Sequence, residues 1–167
     1  MFAGERRSLW EVAEEAAVAT GESAEEVFLP IGLRLVAPGS ERASGYESTP
    51  AQAETFADTG SDGVHFSAVL VAASTVIVMT VPMYFERANH VVGTSLHDFL
   101  CLGCRTGYFA LEQLAYDPFW TVEWLQAGEP DDPEDQWLLD FLCTRLQLQP
   151  WTNVGGRLAQ LATLLDE

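Results

Sequence analysis

The sequence predicts an α+β protein, and three observations carry that prediction. Two apolar runs, Val64 to Ala72 and Thr75 to Val81, are rich in Val, Ile, Thr and Phe and are divided by a tight turn at Ala73-Ser74, which is the signature of a β-hairpin. On either side lie segments with helical periodicity, capping residues and glycine or proline stops. The chain has 167 residues, 48% of them hydrophobic, which suits a single core. With no linker or repeat dividing it, residues 1–167 read as one domain: a small antiparallel or mixed sheet with a central hairpin, packed against several α-helices mainly on one face.

Taken in order, Ser8 is the expected N-cap of a helix over LWEVAEEAAVA, with Glu11 as its capping-box partner and Gly21 as its stop. Ser23-Ala-Glu-Glu repeats the capping pattern before Val27, Phe28 and Leu29, and Pro30 and Gly32 break that second turn. Leu33, Leu35 and Val36 suggest a short strand, placed at a sheet edge by the nearby Pro30 and Pro38. The stretch from Ala37 to Pro50 reads as a loop with Tyr46 as its one large anchor. Asp58 to Gly63 is a polar, glycine-bearing loop feeding the hairpin.

Beyond the hairpin, Glu86 to Gly93 reads as a turn and a brief strand. Thr94 or Ser95 caps what looks like the longest helical region, running to Asp117, with a break expected between Arg105 and Gly107. Asp117-Pro118 opens a further helix that closes at Gly128. The acidic connector Glu129 to Asp135 precedes a helix over QWLLDFLCTRLQL, stopped by Pro150. Asn153 caps the last helix, whose apolar face is Leu158, Leu161, Leu164 and Leu165.

Charge narrows the function classes. The net charge is -17, from 25 acidic residues against 8 basic ones, all of them arginine. Such a surface repels phosphate backbones and anionic lipid, so neither nucleic acid nor a membrane surface is an expected partner. A basic protein is the natural complement. The apolar runs are too short for a span of about 20 residues, and no apolar core follows the two N-terminal arginines as a secretory signal requires. A cytoplasmic location is expected, and three cysteines, an odd number, fit reduced thiols there.

Three groups of residues have chemical potential. His97, Cys101 and Cys104 share one side of a helix, but a tetrahedral zinc site needs a fuller ligand set and no second Cys-x-x-Cys exists, so no metal or other cofactor is expected. Asp58, Asp62 and His65 can bind a metal or perform acid-base work, yet the same Asp, Ser and Gly residues are what a tight connection requires. Asp131, Asp132, Glu134 and Asp135 sit in or before a helix's first turn, where the macrodipole favours acids whether or not a partner binds them. These two acidic segments, with His65, are the candidate partner-binding residues.

The segment from Thr49 to Leu114 resembles the SUKH superfamily of bacterial immunity and scaffold proteins. The matching positions are Phe56, Gly60, Asp62 and Gly63 in the loop, Val81-Pro82 at the strand, and Asp98-Phe99-Leu100 in the helix. That resemblance implies an α+β protein without enzymatic activity, which binds other proteins and often neutralises a toxin domain. The expectation is therefore a binding module, of the immunity type, for a basic nuclease-like toxin. Two readings stand beside it: a metal-dependent enzyme built on Asp58, Asp62 and His65, and a structural homo-oligomeric module.

Overall fold

The computed structural model describes residues 1–40 and 44–165; part of the expected 37–50 loop, residues 41–43, lies outside the described residues. Five strands form one antiparallel meander in the order β1 (Arg34–Leu35), β2 (Glu54–Asp58), β3 (His65–Val71), β4 (Ser74–Thr80) and β5 (Asn89–Gly93). The helices are α1 (Phe2–Thr20), α2 (Leu96–Gly103), α3 (Pro118–Ala127), α4 (Pro133–Leu146) and α5 (Val154–Ala162), with short 3-10 turns at Leu29–Ile31, Phe109–Leu114 and Thr163–Leu165. The protein is thus the α+β fold that the sequence predicts, and no described helix is long and apolar enough to cross a membrane.

Strand alternation sorts the sheet into two unlike faces. Phe66 and Ala68 of β3, opposite Met79 and Ile77 of β4, supply an apolar face. Phe66 meets Phe99 of α2 there, at 4.8 Å between ring centroids. Phe99 also contacts Phe56 and Tyr108 at 5.8 and 5.2 Å, and Phe56 in turn touches Phe2 of α1. These aromatic rings form the centre of the core. The close approach of α2 to the sheet depends on Gly93, where a Cβ would lie 2.7 Å from the Phe99 backbone nitrogen. The other face is buried too, but mixed: beside Val69, Val76 and Val78 it carries His65, Ser67 and Thr80, each at most 2% exposed. Their partners are Thr49, Thr55 and Asn89, and Asn89 donates to the Ser48 carbonyl, so the segment ending the long loop covers this side.

Several boundaries differ from the sequence reading for tertiary reasons. The first helix begins at Phe2 rather than at Ser8, whose hydroxyl bonds back to the Gly4 carbonyl inside the helix. Long-range contacts hold the added turns: the Arg6 guanidinium donates to Val36 and Ala37 carbonyls, and Glu5 accepts the Leu96 N–H. That makes α1, not the region after Ser95, the longest helix. The latter does break: α2 ends at Gly103, and Gly107 turns the chain with φ 85°. Gly103 has its own role, since a Cβ there would strike the Tyr108 ring. Further on, α4 stops at Gln147 in the left-handed region, three residues before Pro150.

The hairpin turn is displaced by one residue. Val71 pairs with Ser74, leaving Ala72 and Ala73 as the two-residue loop with φ 44° and 68°. Two positive φ values match a turn that favours Asn-Gly, and alanine is strained in both places. Replacing the pair by Asn-Gly is expected to raise stability by about 1 to 2 kcal/mol, read as a higher denaturant midpoint with an unchanged slope.

Candidate functional site

The loop from Asp58 to His65 is held by its own hydrogen bonds. Asp58 accepts the Gly60 N–H at 2.7 Å and pairs with Arg34 of the neighbouring strand at 2.9 Å. Thr59 and Ser61 bond each other, and Ser61 donates to Asp62, which sits in the left-handed region with φ 51°. His65 is 2% exposed. Its Nδ1 lies 2.7 Å from the Gly63 carbonyl and its Nε2 3.0 Å from the Thr49 hydroxyl, while Tyr46 stacks over the ring at 5.9 Å. Both nitrogens are therefore occupied, one carboxylate is neutralised by Arg34, and the geometry is that of a braced turn. Among the described residues no group of three or more His, Cys, Asp or Glu is placed to hold a metal ion.

This bracing has two measurable consequences. Gly63 has φ 72°, and a side chain there would run into the Tyr46 ring. Gly63→Val is expected to cost about 1 to 3 kcal/mol from backbone strain alone, whereas Asp62→Asn should be tolerated, because Asn accepts the left-handed region. Thermal melting of the two variants checks the contrast. The second consequence concerns pH. Burial lowers the His65 pKa, against the smaller opposing effects of the Gly63 carbonyl and Asp58; burial, with Arg87 adding to it, lowers His90 as well. The unfolded chain takes up these protons near the ordinary value of 6.5, while the folded chain resists them. Stability is therefore full above 6.5 and declines as pH falls from there toward the depressed folded values. Unfolding free energy measured against pH should show this decline, with a shallower slope in His65→Gln.

The second acidic segment opens α4. Asp132 is the N-cap of α4, accepting the Glu134 N–H at 2.8 Å, and Pro133 occupies the first helical position. Glu134 and Asp135 follow in the first turn; Asp131, Asp132 and Glu134 are exposed and Asp135 is half-buried. Partial burial, followed by the charges of Asp132 and Glu134, raises the Asp135 pKa. Asp131, Asp132 and Asp135 line a groove of about 490 Å³ together with Glu112, Phe109, Trp120 and Trp124. Among the described residues, every ionisable group in this lining is an acid. The two indoles stack in parallel, with centroids 5.9 Å apart and planes 6° apart. Trp120, Phe109 and the neighbouring Phe119 are all substantially exposed.

The structure thus separates the sequence-derived candidates. Asp58, Asp62 and His65 fall around a larger, open cavity of about 780 Å³ that also contains Arg34. Asp131, Asp132 and Asp135 fall in the aromatic groove, and Glu134 stands beside it in the same helical turn. Trp120 and Trp124, which read in the sequence as apolar helix content, line the groove; the signal for it is that α3 carries more large aromatic residues than one buried face can hold. The Asp98-Phe99-Leu100 segment proves to be a tertiary junction. Asp98 accepts from Arg157 at 2.6 Å, from the Trp151 indole at 3.1 Å and from the Thr94 N–H and hydroxyl.

No protein-family model matches the chain, and no curated protein or solved structure matches it.

Proposed function

We propose that this chain is a non-enzymatic cytoplasmic module that binds a basic protein, in the manner of an immunity protein neutralising a nuclease-like toxin, and that the groove between α3 and the start of α4 receives the partner's cationic side chains. One observation carries the reading: carboxylates with no cation among them in the described residues flank a pair of stacked, partly exposed indoles. An arginine suits both features, since its guanidinium binds carboxylates in a bidentate fashion and stacks on aromatic faces. Binding also relieves the repulsion from Asp132 and Glu134 that adds to burial in raising the Asp135 pKa. Aromatic residues and desolvated charge partners are where binding energy concentrates in interfaces. The net charge of -17 adds long-range attraction for a basic partner. The resemblance of residues 49–114 to the SUKH superfamily supports the same reading, and Asp58, Asp62 and His65 supply a second acidic face whose role is to brace the sheet edge.

The test is affinity capture at low salt with three baits: the native chain, the variant with Asp131, Asp132 and Asp135 changed to Asn, and a control with Glu11, Glu14 and Glu22 changed to Gln. The control removes equal charge from surfaces away from the groove. A basic protein retained by the native chain and the control, released by salt and lost from the groove variant, supports the proposal. Retention by all three baits, or of acidic proteins alone, contradicts it. Self-association of the chain, with nothing else retained, supports the homo-oligomeric reading instead.

A further inference from the structure

The fold brings together cysteines that are far apart in the sequence. Cys104 caps the C-terminal end of α2, and Cys143 lies in the last turns of α4. The Cys143 thiol donates to the Cys104 carbonyl at 3.4 Å and the Cys104 thiol to the Cys101 carbonyl at 3.2 Å, so the Cys143 side chain packs directly against Cys104. Cys104 is 5% exposed, whereas Cys143 is half-buried and so accessible from outside. We propose that Cys104 and Cys143 are a redox-active pair, which a hydroperoxide converts to an intramolecular disulfide joining the end of α2 to α4.

The chemistry assigns the two sulfurs different parts. Cys143, the more exposed of the two, is the sulfur that an oxidant reaches first, and its interaction with Cys104 lowers its pKa, while that interaction and burial hold Cys104 in its thiol form; burial likewise raises Cys101. The Cys143 thiolate attacks the distal oxygen of the peroxide, the O–O bond breaks, and with uptake of a proton a sulfenic acid and one water (or alcohol) are formed. The Cys104 sulfur then attacks the sulfenic sulfur; the S–S bond forms, the S–O bond breaks, and the Cys104 proton leaves with the hydroxyl as water. Two thiols have been oxidised by two electrons and one peroxide reduced. Phe109, Trp120, Trp124 and the acids from Asp131 to Asp135 all lie in the chain between these cysteines. Oxidation would therefore close a covalent loop around the segments that build the groove, and would stabilise the fold by restricting the unfolded chain.

The test treats the purified, reduced protein with hydrogen peroxide under native conditions and digests it with trypsin without reduction. Arg105 lies between the cysteines, so cleavage puts Cys104 and Cys143 in separate peptides that only a disulfide can hold together. The expected result is that linked pair within the monomer, with the loss of two hydrogens from the intact mass, a higher melting temperature and full reversal by dithiothreitol. The link should persist in Cys101→Ser and vanish in Cys104→Ser, where sulfenic and sulfinic forms of Cys143 should accumulate. Melting curves of the reduced variants establish that each is folded. A native protein in which Cys143 proceeds to the sulfinic acid without cross-linking overturns the proposal. So does pairing only with Cys101 or only between chains.

Discussion

Phe99→Ala is expected to destabilise the protein by about 3 to 5 kcal/mol, the largest loss foreseen for any single truncation. Phe99 has no exposed surface and contacts Phe56, Phe66 and Tyr108, so it joins β2, β3 and the chain after α2. Relaxation into the vacated space is opposed from below by Gly93, where α2 and β5 already approach as closely as backbone permits. On a total of about 5 to 15 kcal/mol for a domain, such a loss consumes a large share of the stability. Chemical denaturation should show a much lower midpoint, and Phe99→Leu, which refills most of the volume, should recover a good part of it. Equal stabilities for the Ala and Leu variants would show that the ring is not the centre of the core.

Changing Asp131, Asp132 and Asp135 together to Asn is expected to slow association with the basic partner about tenfold or more at low salt, with a smaller effect on dissociation. Exposed charges act mainly on encounter, because they steer a partner over distances that salt screens beyond roughly 8 to 10 Å. Asp131 and Asp132 are exposed and fit this description. Asp135 is half-buried beside the indole pair and is the one position of the three whose loss should also speed dissociation. The substitutions should leave folding intact, since Asn replaces Asp at the α4 N-cap at little cost. Stopped-flow mixing across a salt series separates the two rate effects. A solubility role for the acids predicts rates indifferent both to salt and to the substitutions.

The elements legible in the sequence were those whose signals are local. Ser95, Asp117 and Asn153 cap their helices as expected, and each accepts the N–H three residues on. The edge strand at Arg34–Leu35 and the break before Gly107 likewise follow from proline and glycine placement. What stayed hidden depends on partners distant in sequence. Strand β2 is five residues long, carries a register irregularity between Thr55 and Ala57, and gains its place from β1 and β3 on either side rather than from alternation. The early start of α1 depends on Arg6 and Glu5 reaching Val36, Ala37 and Leu96. The hairpin turn was misplaced because Ala72-Ala73 lacks the residues that its backbone favours.

The candidate sites divide in the same way. That Asp58 to Gly63 would form a tight connection was readable from its composition, because Asp, Ser and Gly satisfy their own backbone. The groove was not, because it joins acids after α3 to aromatics within it and to Phe109 from another segment. Only the acids carry a signal in the linear sequence, and the same acids also serve the helix N-terminus.

The most direct measurement is amide hydrogen exchange on the chain alone and saturated with its captured basic partner. Binding at the groove predicts new protection in residues 106–113, 120–126 and 131–137, with the 58–65 loop exchanging at the same rate in both states. Protection confined to 58–65, or spread evenly over the acidic surface, would contradict the assignment of the groove as the binding site.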